Sequence, residues 1–180
     1  GALDVIAVTD AEGHVVFDNQ TPHDQPLSQV SVAKRDYFQV LAQQQKPSFF
    51  ISAPIQNMLT KRWTVQFSHS MFIDGKFSGV IIASVSAEHL SDAFKRVFPS
   101  HDDTVFLVLN DGHYIARTHA LSAALKQKVF VERKFLQHKD KSSGTYTAVS
   151  PIDSVERIYA WHRIPDFPVT LGLGLSKENV

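Results

Sequence analysis

One ordered succession of short blocks occurs twice along this 180-residue chain, and an internal repeat constrains the fold more than any composition does. In the first half, Val5-x-x-Val8 leads through Glu12-Gly13-His14 into a second β-branched run. Arg62-Trp63 then opens a long apolar segment that turns at Ile73-Asp74-Gly75-Lys76-Phe77 and returns to Ser86-Ala87-Glu88. In the second half, Val105-x-x-Val108 leads through Asp111-Gly112-His113 into Tyr114 to Arg117. Arg157-Ile158 opens a segment that turns at Ile164-Pro165-Asp166-Phe167-Pro168 and returns to Ser176-Lys177-Glu178. Each half opens on β-branched runs around a glycine turn, the signal of a hairpin, and closes on a long antiparallel pair. The expected fold class is therefore α+β: two related modules, residues 1–98 and 99–180, each an antiparallel sheet flanked by helices.

Between these landmarks, residues 19–30 lack periodicity and are rich in turn formers, and so read as a loop. Ser31 is placed to cap a helix through about Gln45, with Tyr37, Phe38 and Leu41 on one side. Phe49 to Ile55, Trp63 to Phe72 and Phe77 to Val85 read as strands, the last two joined at Asp74-Gly75. Ser86 and Glu88 start a second helix that Pro99 stops near Phe98. The second module adds helical turns over Leu121–Lys126 and Glu132–His138 and a strand over Thr145–Ser150. The chain opens directly on a strand and stops where a further helix is due, the pattern of an excised domain.

Eighteen basic and eighteen acidic side chains cancel, so there is no positive surplus for nucleic acid or anionic lipid. The absence of cysteine excludes disulfide scaffolds, thiol catalysis and thiolate zinc sites. Nine histidines fall at no ligand-like spacing, so no metal site is expected. Ser68-His69 beside a distant Asp153 lacks the nucleophile elbow of a hydrolase, and Gly172-x-Gly174 lacks the helix of a phosphate loop. No catalytic residue and no cofactor is assigned. No apolar run approaches the ~18–20 residues that span a bilayer.

Three blocks in order resemble the double Cache family, the PAS-like extracytoplasmic sensor domains of bacterial diguanylate cyclases, histidine kinases and chemoreceptors. They are Val32-Ala33-Lys34-Arg35-Asp36-Tyr37-Phe38, Asp74-Gly75-Lys76-Phe77-Ser78-Gly79-Val80-Ile81, and Ile152-Asp153-Ser154-Val155-Glu156-Arg157-Ile158-Tyr159-Ala160 with Asp166-Phe167-Pro168-Val169. The resemblance covers nearly the whole chain, without the long N-terminal helix through which family members dimerise. It implies tandem PAS-like modules, membrane-distal and membrane-proximal, in the periplasmic part of a membrane-anchored receptor, with a diguanylate cyclase as first expectation for its output. The alternatives are a histidine kinase or chemoreceptor, and a ligand-free structural or dimerisation module.

In amino-acid-binding relatives the distal helix carries an arginine for the ligand carboxylate and aromatic walls, and Arg35-x-Tyr37-Phe38 stands at that spacing here. A rigid guanidinium fork suits a planar carboxylate. The competing reading pairs Arg35 with Asp36 and buries Tyr37 and Phe38 as core. The relatives' fifth-strand acid, which holds an ammonium, aligns with Ser84, so the resemblance implies a carboxylate or neutral ligand rather than an ordinary α-amino acid. Trp63, Gln66 and Ser68 lie on alternate or nearby positions of one strand, and Gln66, Ser68 and Ser84 are polar in otherwise apolar runs; together they complete the candidate wall, and a solvated face with Trp63 packed on it is the other possibility.

Overall fold

The computed structural model describes residues 4–22, 24–27, 30–56, 61–98, 101–129, 133–137 and 140–178. The chain divides into two compact units, Gly1–Ser86 and Ala87–Val180.

In the first unit, strands β1 (Val5–Thr9) and β2 (Val15–Asp18) form the expected hairpin. Helix α1 (Asp36–Ala42) and the short strands β3 (Phe49–Ile51) and β4 (Ile55–Gln56) follow, before the long pair β5 (Trp63–Ile73) and β6 (Lys76–Ser86). The sheet order is β2-β1-β6-β5-β3, with β4 also on β5. Asp74 and Gly75 join the long pair with φ of 49° and 74°, the left-handed conformation at both central positions that a two-residue type I′ turn needs and glycine supplies without strain.

Two elements differ from expectation for local reasons. The helix begins at Asp36 rather than after Ser31, because Ser31 forms a β-bridge with His14 and the Val32 N–H donates to the Gly13 carbonyl at 2.8 Å. A turn at Ala33 and Lys34 follows, closed by the Arg35 N–H donating to the Val32 carbonyl, so the helix starts only at Asp36. The single strand expected over 49–55 is broken at Ser52–Pro54: the Ser52 hydroxyl takes the Gln66 N–H at 3.0 Å, and Pro54 has no ladder donor.

The core of this unit is Val32, Tyr37, Phe38, Leu41, Val80 and Ile82. Phe38 meets Phe77 edge-on at 5.7 Å between ring centres. Each such fully buried side chain contributes about 1.5–3 kcal/mol of burial free energy, which holds the two-turn helix α1 on the sheet.

The second unit begins with helix α2 (Ala87–Val97), which packs against β8 (Tyr114–Arg117). The sequence reading placed this helix at the end of the first module. Around β8 come β7 (Thr104–Leu109), the single turns α3 (Leu121–Ala124) and α4 (Lys134–Gln137), and the strands β9 (Ser143–Val149), β10 (Glu156–Arg163) and β11 (Val169–Ser176). Glu132 and His138, the expected limits of the second helical turn, lie outside the described residues. The sheet order is β8-β7-β11-β10-β9. With β4 set aside, both sheets run second, first, last, penultimate, middle strand, so the duplicated blocks fold to one topology.

The two registers can be superposed. β6 and β11 each end on a serine paired with the start of the preceding strand, Thr64 with Ser86 and Arg157 with Ser176. Counting back, Gln66 and Ser84 occupy the places of Tyr159 and Gly174, Ser68 and Ile82 those of Trp161 and Gly172, and Ala7 that of Phe106. Phe106, Tyr159 and Trp161 belong to the second unit's core, with Val108, Tyr114, Ala124 and Val129.

Candidate ligand site

The first unit encloses a cavity of about 520 Å³ between its sheet, α1 and the segment leading into α1. Alternation sends every second residue of a strand to the same face. Val5 and Ala7 on β1, Thr64 and Gln66 on β5, and Ile82 and Ser84 on β6 therefore form its floor. Val30, Val32, Arg35 and Tyr37 form the opposite wall.

Four of the seven residues expected from sequence, Arg35, Tyr37, Gln66 and Ser84, line this cavity. Arg35 stands at the N-cap of α1 with extended backbone, φ −77° and ψ 142°. Its side chain forms no ion pair among the described residues. Asp36, its expected competitor, instead accepts the Tyr37 N–H at 2.8 Å. Tyr37 is buried, and burial pushes its phenol pKa up, opposed by the Arg35 charge and reinforced by Asp36; the phenol thus stays a neutral donor. On the floor, the Ser84 hydroxyl donates to Gln66 Oε1 at 2.5 Å, and Gln66 Nε2 donates to Thr64 Oγ1 at 3.4 Å.

The other three lie elsewhere. Phe38 turns into the core against Phe77. Trp63 has the opposite parity from Gln66 on an unbroken stretch of β5, which puts it on the other face of the sheet. Ser68 shares the parity of Gln66 but is 1% exposed, and its hydroxyl has no hydrogen-bond partner among the described residues. Sequence reasoning missed Thr64 and Ala7, both recoverable from parity once Gln66 is placed.

Chemically, the cavity is apolar at one end, amide- and hydroxyl-lined at the other, and carries one cation. Among the described residues, none that lines it is acidic. It suits a small molecule with one anionic end and a neutral hydrogen-bonding body.

No protein-family model matches the chain, and no curated protein matches it. Solved structures do. The extracellular domain assigned to a histidine kinase superposes with TM-score 0.77 at 22% identity, over 96% of this chain and 70% of that one. The ligand-binding domain of the Pseudomonas fluorescens chemoreceptor CtaA, in complex with L-serine, gives 0.66 at 16% identity over 98% and 74%. That of the Pseudomonas aeruginosa PAO1 amino-acid chemoreceptor PctC, in complex with GABA, gives 0.62 at 14% over 97% and 75%.

This is the double Cache fold. The tandem PAS-like modules expected from the duplicated blocks are present as its two sheets. Among the described residues no helix of the double Cache fold here is long and apolar enough to cross a membrane.

Proposed function

We propose that the chain is the extracytoplasmic small-molecule-sensing part of a membrane-anchored signalling protein, and that its first unit binds a small carboxylate. The observation that carries this reading is the cavity of about 520 Å³ whose single charged wall residue, Arg35, has no ion-pair partner among the described residues. A guanidinium fork held at a helix start recognises a carboxylate bidentately. The Gln66–Ser84 pair meets the neutral end of the ligand.

Structures of the same fold carry L-serine and GABA, so the fold accommodates ligands of this size. With Ser84 and no acid in the lining, an ammonium would be buried without a counter-charge at a cost of several kcal/mol; the preferred ligand is a carboxylate without one. The first unit is the membrane-distal module, the second the proximal one, and the receptor is a periplasmic homodimer in its parent. A histidine kinase or chemoreceptor output has the support of the structural neighbours. A diguanylate cyclase output rests on the three sequence blocks alone.

The test is a thermal-shift and calorimetric panel of pyruvate, lactate, butyrate, GABA and L-serine on wild type and Arg35→Ala. A ligand at a hundred times its dissociation constant adds about 2.7 kcal/mol, or roughly 5–11 °C in Tm. The expected result is stabilisation by a compound without an amine that is lost in Arg35→Ala. No binding by any of the five to wild type, or equal binding by both proteins, overturns the proposal.

A further inference from the structure

The hydrogen bonds along the floor of the first unit's cavity run one way. The Ser84 hydroxyl donates to Gln66 Oε1 at 2.5 Å, Gln66 Nε2 donates to Thr64 Oγ1 at 3.4 Å, and the Thr64 hydroxyl donates to the Ile55 carbonyl at 3.4 Å. A separation of 2.5 Å falls within the range of O–H···O bonds and below that of N–H···O bonds, so the amide atom facing Ser84 is the oxygen. That orients the whole string: both hydroxyl protons are committed, and with them one of the two amide hydrogens of Gln66. Gln56, also on the cavity lining, gives an amide hydrogen to the Lys61 carbonyl at 3.0 Å.

What the string leaves for a guest is mostly lone pairs, on Ser84 Oγ, Thr64 Oγ1 and Gln66 Oε1, with the second amide hydrogen of Gln66 as a donor among them. The opposite wall has the reverse character. Arg35 has donors only, and the Tyr37 phenol keeps its proton. Resting on the assignment of a carboxylate to Arg35, we infer that the ligand is a hydroxycarboxylate whose hydroxyl lies on the Ser84–Gln66 pair.

A hydroxyl there donates to Ser84 Oγ or Gln66 Oε1 and accepts the free amide hydrogen of Gln66, so it pairs with both kinds of group. A ketone oxygen in the same place only accepts and faces oxygen lone pairs; a methylene pairs with neither. An ammonium donates, but brings a charge that no acidic lining residue among those described offsets. The cavity of about 520 Å³ has room for water beside a small ligand, and a bridging water partly replaces a missing hydroxyl. The preference is therefore on the order of tenfold rather than the roughly 10⁴ of a site closed around its substrate.

Calorimetric titration of the whole chain with two matched series tests this. One is lactate, pyruvate and propionate; the other is 3-hydroxybutyrate, acetoacetate and butyrate, with the hydroxy acids as separate enantiomers. Wild type, Arg35→Ala and Ser84→Ala are compared. The expected result is that in at least one series the hydroxy acid binds wild type roughly tenfold more tightly than both partners, and that Ser84→Ala narrows this ratio to about threefold or less. Binding that depends on Arg35 but is equally tight for the keto or unsubstituted acid in both series overturns the hydroxyl assignment and leaves the carboxylate assignment standing. A preference that Ser84→Ala leaves at its wild-type size overturns it too, because the hydroxyl is then met elsewhere. Binding by none of the six compounds overturns both assignments.

Discussion

The two units share one sheet topology and one register, yet one is hollow and the other filled. The difference lies in a few inward positions. Where the first unit has Ala7, Gln66 and Ser68, the second has Phe106, Tyr159 and Trp161; where the first has Ile82 and Ser84, the second has Gly172 and Gly174. The glycines make the substitution possible. A Cβ at Gly172 would stand 2.0 Å from the Phe106 ring, and one at Gly174 would stand 2.6 Å from the Tyr159 ring. Aromatic rings lie flat on bare backbone in the second unit and occupy the volume that remains a cavity in the first. The same fold thus yields a receptive module and a packed one by exchanging alanine, glutamine and serine for large aromatic residues on one face.

The largest effect is expected from breaking the charge cluster that exists only in the packed unit. Asp153→Ala leaves two buried guanidinium groups without their carboxylate, a loss of about 3 kcal/mol since Asp153 is itself partly exposed, seen as a Tm lower by roughly 6–12 °C. Stability should also depend on acid through this residue. Burial opposes ionisation of Asp153, but hydrogen bonds from Arg157, Ser150 and Arg117 outweigh it and hold the carboxyl well below the usual carboxylate range. With the folded pKa below the unfolded value of about 3.9, the contribution is complete above the unfolded pKa and is lost as pH falls toward the folded one. Denaturant titrations should therefore show a fall in wild-type stability below about pH 4 that is smaller in Asp153→Ala.

Next in size is Gly172→Ala. Its methyl must displace the Phe106 ring, at about 1–3 kcal/mol. An equal stability of this variant and wild type in urea would show that glycine is not what admits the aromatic layer. A converse exchange sharpens the same contrast: Ala7→Phe transplants the ring of the second unit into the first. It should abolish carboxylate-dependent stabilisation while changing the ligand-free Tm by only a few degrees. The smallest effect belongs to Ser68→Ala, which removes a buried hydroxyl that has no partner among the described residues. Equilibrium unfolding should show it neutral or stabilised by up to about 1 kcal/mol.

The sheets were legible because their signals are local. Period-two apolar runs, turns such as Asp74-Gly75 and the recurring blocks all lie within a few residues of one another. Gln66 and Ser84 stood out as polar interruptions for the same reason. Trp63 was grouped with them although its parity on β5 sends it to the far face, a distinction that needs the strand to be unbroken. The start of α1 was misjudged because Ser31 is held by His14, seventeen positions earlier, and no local rule reports such a bridge. The cluster of Arg117, Asp153 and Arg157 was not read at all: its members come from β8, the turn before β10 and β10 itself, and only the folded chain brings Arg117 to a carboxylate thirty-six positions away.

The most direct measurement is a crystal structure of the chain soaked with whichever of the five panel compounds stabilises it most. The account predicts a carboxylate on the Arg35 guanidinium, its other end toward Gln66 and Ser84, and none of that compound inside the second unit. Density for it among Tyr146, Tyr159 and Arg117, or an Arg35 side chain turned to solvent beside a first-unit cavity closed by its own residues, would contradict it.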